Sequence, residues 1–342
     1  MSSEISTIGF PGLGIDEFTI NRTAFTLFGK IHVQWYGIIL TLGILTAFII
    51  LYNRAKKTEG FSEDDIFNIT LFTVPISIIG ARLVYVVTTW STHSYNSFYD
   101  VIAIWNGGIA IYGAIIFGLI TVIVYCKVRG LKLLSMLDAM SPAVMMGQII
   151  GRWGNFVNAE AYGWSEGVEK LPWRMTVGTV RIDGVARPDI QFVHPTFLYE
   201  SLWNLIGFVI IHFVYKKKKA NGEIFSLYML WYGFGRGFIE MLRTDSLYMF
   251  NTKLKFSVFT GFLFFVLGTI MLIYLLKKAK KNNAELAEYE KAFATVDAYD
   301  TESVKTEADD LELSEKLEAL DQKDETPSDE KTENEDNTNE PS

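Results

Sequence analysis

Apolar residues along this chain gather into seven runs, near 35–52, 66–89, 109–126, 133–150, 196–215, 223–242 and 256–276. About 20 apolar residues in a helix match the hydrocarbon thickness of a bilayer. The pattern therefore predicts an all-α integral membrane protein with about seven transmembrane helices. The fourth run is short. Its polar extension through Gly163 predicts a segment that re-enters the membrane or lies at its surface rather than spanning it cleanly.

Basic residues between the runs set an orientation. Arg54, Lys56 and Lys57 follow the first run, Lys127, Arg129 and Lys132 the third, Lys216 to Lys219 the fifth, and Lys277, Lys278, Lys280 and Lys281 the last. These clusters fall on alternate connections, so the positive-inside rule places all of them in the cytoplasm. An odd number of spans then puts the N-terminus outside and the C-terminus in the cytoplasm. The connections at 90–108, 151–195 and 243–255 face outward. Residues 164–195 form the one sizeable outer segment, a small extracytoplasmic piece. A hairpin is expected there from Trp173–Val177 and the turn-like Ile182-Asp183-Gly184-Val185.

Composition divides the chain in two. Over 342 residues it is 49% hydrophobic, with a mean hydropathy of +0.20 and a net charge of −8. Residues 1–281 are apolar and aromatic and form the polytopic membrane domain. Residues 282–342 are acidic and polar, and they carry most of the negative charge. That tail cannot bury enough apolar surface to offset chain entropy, so it is expected to be a disordered or marginally helical cytoplasmic segment. The overall acidity therefore says nothing about partners of the membrane part. The single cysteine, Cys126, excludes an internal disulfide and reads as a small buried apolar residue. No basic start followed by an apolar core marks a cleavable signal peptide.

Polar residues inside membrane runs are costly to desolvate and persist when they pair, line a wet cavity or bind a ligand. Four clusters stand out, and the orientation lets all of them meet near the outer half of the membrane. One is Gly151-Arg152-Trp153-Gly154-Asn155-Phe156-Val157-Asn158-Ala159-Glu160-Ala161-Tyr162-Gly163. The others are Trp105 to Gly113, His194 to Glu200, and Tyr232 to Arg243. In the last, Arg236, Glu240 and Arg243 are spaced to share one helix face. This stripe reads either as salt-bridged packing or as a site. Two arginines with one carboxylate leave positive charge to spare, and arginine is the preferred bidentate partner of phosphate. An anionic lipid headgroup is the ligand this suggests. Arg82, in the second run, could add to the site or serve helix packing. Tyr36 is either an interfacial anchor or part of the site. His32, His93 and His212 have no ligand partners at metal spacing, and no glycine-rich loop supports nucleotide binding.

At these residues the chain resembles the bacterial prolipoprotein diacylglyceryl transferase family. Gly151–Gly163 matches the family signature, and the His194 segment and the Arg236/Glu240/Arg243 stripe follow in the expected order. The likeness spans roughly residues 10–280 and excludes the tail. It implies an enzyme of the bacterial cell membrane that moves a diacylglyceryl group from phosphatidylglycerol to a thiol. The thiol belongs to the lipobox cysteine in the signal peptide of a preprolipoprotein. A thioether forms and glycerol phosphate leaves, in the first step of lipoprotein maturation. The resemblance assigns Arg152, Asn155, Asn158, Glu160 and Gly163 to the headgroup site, with Arg236, Glu240 and Arg243 facing them. Tyr36 and Tyr232 match tyrosines associated with activity. It implies phosphatidylglycerol, lipobox signal peptides and membrane lipid as partners, with no cofactor, metal or nucleic acid.

One position departs from the family pattern. Where its well-known form has a histidine at the start of the third span, this chain has Tyr112, followed by Gly113 and Ala114. A tyrosine, with a reference pKa of about 10, is a poor base at neutral pH, so Tyr112 is expected to orient the lipid headgroup or a water through its hydroxyl rather than to take the thiol proton. Glu160, Glu240 and His194 are the other candidate bases. A transporter for an anionic substrate is the competing function, since it would also use intramembrane arginines and glycines.

Overall fold

The computed structural model describes residues 5–29, 31–90, 95–104, 107–246, 248 and 254–299. His93, Trp105, Asn106 and residues 300–342 of the acidic tail lie outside them. The chain divides into two compact units, Met1–Lys280 and Lys281–Ser342.

The helices are α1 (Trp35–Lys57), α2 (Glu63–Thr89), the short α3 (Phe98–Ile102), α4 (Ile111–Arg129), α5 (Leu133–Asn158), α6 (Thr196–Tyr215), α7 (Glu223–Leu242) and α8 (Phe256–Tyr299). Local sequence explains their ends. The last turns of α1 and α4 hold Arg54, Lys56 and Lys57, and Lys127 and Arg129, where cations suit the helix dipole. Ser62 caps α2 by accepting the Asp65 amide at 3.1 Å, and three acidic residues fill that first turn. Residues 282–299, the described part of the acidic segment, belong to α8.

Six helices are long and apolar enough to cross a membrane: α1, α2, α4, α5, α6 and α8 up to Glu288. The chain is a multi-pass membrane protein. The expected count of seven is not reached on apolarity alone. Tyrosines, tryptophans, glycines, Arg236 and Glu240 dilute α7, although its 20 residues equal α6 in length. The fourth run is longer than its apolar part. Its polar extension is helical as far as Asn158, so that α5 runs 26 residues without a break through Arg152 and Asn155 and is long and apolar enough to span. Its polar end is stabilised as helix by side chains from its neighbours, described below.

α5 is the axis of the bundle and packs against α1, α4, α6 and α7, while α2 pairs with α4. At the end that carries the basic clusters, Lys218 bridges Glu59 at 2.5 Å and the fully buried Asp138 at 3.2 Å. Asp138 also accepts the amides of Gly222 and Phe225, each at 2.8 Å, and so ties the α6–α7 turn to α5. Cys126 is buried in the core beside Ile69, Val122 and Met136.

The opposite end carries β-structure that the apolar pattern did not announce. β1 (Ile5–Phe10) pairs antiparallel with β2 (Ile15–Asn21) and with β5 (Thr176–Val177), in the order β2-β1-β5. β3 (Thr23–Leu27) and β4 (Ile31–Gln34) form a hairpin that leads directly into α1. The expected hairpin in 164–195 is smaller than predicted. β6 (Arg181–Ile182) pairs with β7 (Val185–Ala186) across Asp183 and Gly184, both at positive φ as a tight two-residue turn requires. Thr176 and Val177 pair instead with Gly9 and Ile8. Ile8, Tyr162, Met175, Val177, Val193 and Phe197 fill a small core under this cap.

Candidate active site

The site lies where the cap meets the ends of α5, α6 and α7. Its centre is Glu200, on the first turns of α6 and 3% exposed. Glu200 Oε2 is 2.5 Å from Arg152 Nη2 of α5, and Oε1 is 2.8 Å from Arg236 Nη1 of α7. Arg243, just past the end of α7, approaches the same Oε1 at 3.7 Å. A second buried carboxylate, Glu240, pairs with Arg236 Nη2 at 2.7 Å and lies 3.7 Å from Arg243 Nε. Ser246 donates to Glu240 Oε1 at 2.7 Å. Arg243 completes a two-pronged pair with Asp245 at 3.0 and 2.8 Å.

The helix stripe is therefore as expected, but its charge is not in surplus. Arg152, Arg236 and Arg243 face Glu200, Glu240 and Asp245, so three cations meet three carboxylates. An anion entering the site must compete with Glu200 for arginines that are already held in place. Such preorganised donors stabilise developing negative charge without reorganising.

The end of α5 carries the other polar groups. Arg152 Nη1 reaches Asn155 Oδ1 at 3.3 Å, and the amides of Asn155 and Asn158 both donate to Glu160 Oε1 at 3.1 Å. Glu160 itself is exposed. Tyr36, at the start of α1, lies close enough to Glu160 and Arg152 to feel both charges. Its ring lies on Gly154, where an added Cβ would fall 2.6 Å from the ring. The N-terminal segment braces this corner. Arg22 donates to the Asn158 carbonyl and to Ser6 Oγ, each at 2.8 Å.

Tyr232, one turn before Arg236, stacks on Tyr228 with ring centroids 5.6 Å apart. Tyr112 sits at the start of α4, where its hydroxyl meets Ser257 Oγ at 2.8 Å and its ring meets Phe256 edge-on. Its place beside α8 makes it a packing partner of that helix. We predict that Tyr112→Phe lowers activity no more than about tenfold, the worth of one hydrogen bond of at most about 1.5 kcal/mol. Initial-rate measurements on purified protein check this, and a dead variant would make the hydroxyl essential.

Two assigned residues occupy places of a different kind. Gly163 is buried at a backbone junction. It exchanges hydrogen bonds with His194 at 3.0 and 2.7 Å, and a Cβ there would lie 2.8 Å from Thr196. His194 has both ring nitrogens engaged, Nε2 with Ser165 Oγ at 2.8 Å and Nδ1 with the Tyr199 hydroxyl at 3.2 Å. Burial lowers its pKa, so the ring is neutral at pH 7. Arg82 takes no part in the ion pairs of Glu200 and Glu240. It donates to the carbonyls of Asp100, Val101, Gly107 and Gly108 at 2.6 to 2.8 Å and so gathers the segment before α4.

Asp245, Arg22 and Ser257 were not singled out for the site from sequence, and Glu200 closed the His194–Glu200 cluster without being given a role. A central role for Glu200 was readable, as a lone carboxylate on an otherwise apolar helix, the same criterion that picked out Arg236 and Glu240.

The fold and the site define a multi-pass membrane protein with arginines and carboxylates locked together inside its helical bundle. Residues 22–274 match the family described as prolipoprotein diacylglyceryl transferase, and the chain belongs to that family. It is 43% identical over 265 residues to the phosphatidylglycerol–prolipoprotein diacylglyceryl transferase of Finegoldia magna, covering 77% of this chain and 99% of the relative. Proteins of the same name from Lysinibacillus sphaericus (41%, covering 76% and 94%) and Lactobacillus acidophilus (40%, covering 77% and 93%) are similar over nearly the same span.

Proposed function

We propose that this chain transfers the diacylglyceryl group of phosphatidylglycerol to the lipobox cysteine of preprolipoproteins in the bacterial cell membrane. The observation that carries this reading is the convergence of Arg152, Arg236 and Arg243 on Glu200 in a chain of this family. The cysteine sulfur attacks the glyceryl carbon that bears the phosphate ester. A carbon–sulfur bond forms as the carbon–oxygen bond breaks, and glycerol phosphate departs with the electron pair. The substrate thiol supplies the nucleophile, so Cys126 has no part in the chemistry.

Each residue then has a task. Arg152 and Arg236 hold the phosphate and stabilise the charge that grows on the leaving oxygen. Glu200 and Glu240 keep those guanidiniums in register, and Arg243 closes the ring of charge. Asn155 and Asn158 orient Glu160, and Tyr232 lines the site from α7. A thiol with a reference pKa of about 8.5 needs a base at neutral pH. Glu240 is enclosed by arginines and His194 is saturated with hydrogen bonds, which favours Glu160, beside Tyr36, as the proton acceptor. Both asparagine amides use its Oε1, leaving Oε2 for the thiol.

Incubation of purified protein with labelled phosphatidylglycerol and a lipobox peptide tests the reaction. Lipidated peptide and free glycerol phosphate are expected in equal amounts. Movement of an anion without either product would mean a transporter.

The site faces the outer leaflet in this reading, with α7 as a seventh span and the acidic tail in the cytoplasm. Cys126 is 1% exposed, so introduced thiols can be labelled against little background. In intact cells Val185→Cys should react with an impermeant maleimide, and Lys217→Cys should react only after permeabilisation. The reverse pattern would invert the topology.

A further inference from the structure

α6 and α7 are consecutive helices that run antiparallel, and each contains a tryptophan followed four residues later by a glycine: Trp203 with Gly207, and Trp231 with Gly235. The two indoles stack with centroids 4.3 Å apart and planes inclined by 15°. Trp203 Nε1 donates to the Trp231 carbonyl at 3.0 Å, and Trp231 Nε1 donates to the Trp203 carbonyl at 2.9 Å. Each bond crosses to the other helix, so the arrangement is reciprocal.

The glycines make this possible. In an α-helix the carbonyl of residue i already faces the amide of residue i+4, and the side chain at i+4 shields it. A Cβ at Gly207 would fall 2.3 Å from the Trp231 ring, and one at Gly235 would fall 2.1 Å from the Trp203 ring. Only a bare backbone lets each indole reach its carbonyl. Buried indole N–H groups require partners, and these bonds fix both the distance and the register of the two helices.

That register governs the ionic cluster. Glu200 lies three residues before Trp203 on α6, and Arg236 follows Gly235 directly on α7. A slip of one residue along α7 is about 1.5 Å with a turn of about 100°. It would break the 2.8 Å contact between Arg236 and Glu200.

We propose that Trp203 and Trp231 are positioning residues for diacylglyceryl transfer: their reciprocal clasp holds Glu200 in place among Arg152, Arg236 and Arg243. The inference rests on the reading of that cluster as the phosphate site.

The test is a double-mutant cycle on the purified full chain, reading lipidated peptide. Trp203→Phe and Trp231→Phe keep an aromatic ring and remove the donor, and Gly235→Ala pushes the indole away from the other side. Circular dichroism follows the clasp itself, because stacked indoles give an exciton couplet that each Trp→Phe variant should lose. Thermal unfolding in detergent confirms that the variants are folded. Each should lower kcat by about ten- to a hundredfold through misplacement of the reacting groups, with KM for phosphatidylglycerol changed less than about threefold. Contacting groups that act as one unit are non-additive. Trp203→Phe should therefore add nothing in a Glu200→Gln background, and Glu200→Asp gives a second version of the cycle.

Fully additive losses would overturn the inference, as would normal kcat in variants that have lost the couplet while Glu200→Gln is slow. Normal turnover by Glu200→Gln would instead remove the cluster from the site, and the clasp's catalytic role with it.

Discussion

Arg236→Lys should lose at least about a hundredfold in transfer while remaining folded, and Arg236→Ala should lose transfer altogether and melt at a lower temperature. The two substitutions differ because Arg236 serves two carboxylates at once. Its Nη1 meets Glu200 and its Nη2 meets Glu240, both nearly inaccessible to solvent. Lysine keeps the positive charge near both but cannot fork between them or present two parallel donors to a phosphate. Alanine leaves two buried carboxylates short of a partner, and breaking a buried pair from one side costs about 3–5 kcal/mol. Arg152→Ala should also abolish transfer, with a smaller change in melting, because its side chain is the most exposed of the three arginines. Initial rates and thermal unfolding on the same preparations separate the two effects. Near-normal rates in Arg236→Lys and Arg152→Ala together would make the arginines structural.

Glu160→Gln should lower transfer at pH 7 by about a hundredfold or more if the carboxylate takes the thiol proton. Glutamine preserves shape, and its amide oxygen can still accept from Asn155 and Asn158. Raising the pH toward the thiol's own pKa, about 8.5, should return part of that loss, because the peptide then supplies thiolate without help. Arg152→Ala should show no such recovery, since its defect lies in the phosphate contact. A pH–rate profile for each variant and the parent gives the answer. A Glu160→Gln enzyme that is slow at every pH would make Glu160 a binding group, and one that is normal would return the choice of base to the other candidates.

Helices were legible in the sequence wherever lipid dictates composition. The runs at 35–52 and 196–215 became α1 and α6 with their basic ends as expected. The helical end of α5 was hard to read because Arg152 and Asn155 look incompatible with a membrane helix when seen singly. Their partners Glu200 and Glu160 make them compatible, and those pairings are matters of three-dimensional approach. The same limit hid the neutral balance of the cluster: i,i+4 spacing reveals Arg236 with Glu240, whereas Glu200 and Arg152 arrive from other helices. The N-terminal strands escaped because β2 is exposed along nearly its whole length and carries no buried face to produce alternation. Arg82 was ambiguous for a related reason, since its acceptors are backbone carbonyls, which every sequence has.

The pairing of β1 with β5 also constrains how the protein is made. Gly9 meets Thr176, and Arg22 meets the carbonyl of Asn158, so β1 gains its second partner, and Arg22 its carbonyl, only after well over a hundred further residues. At a synthesis rate of about 5–20 residues per second, that is a wait of roughly ten to thirty seconds. Contacts of such sequence separation also close slowly. If the N-terminus crosses early, a hairpin with exposed Phe25, Leu27 and Phe28 stands alone at the membrane surface during that interval. It becomes a finished cap only when α5 and the loop beyond it have emerged. Closure of the cap therefore comes late in synthesis. A chain truncated before residue 176 would lack β5 and leave β1 without its second partner.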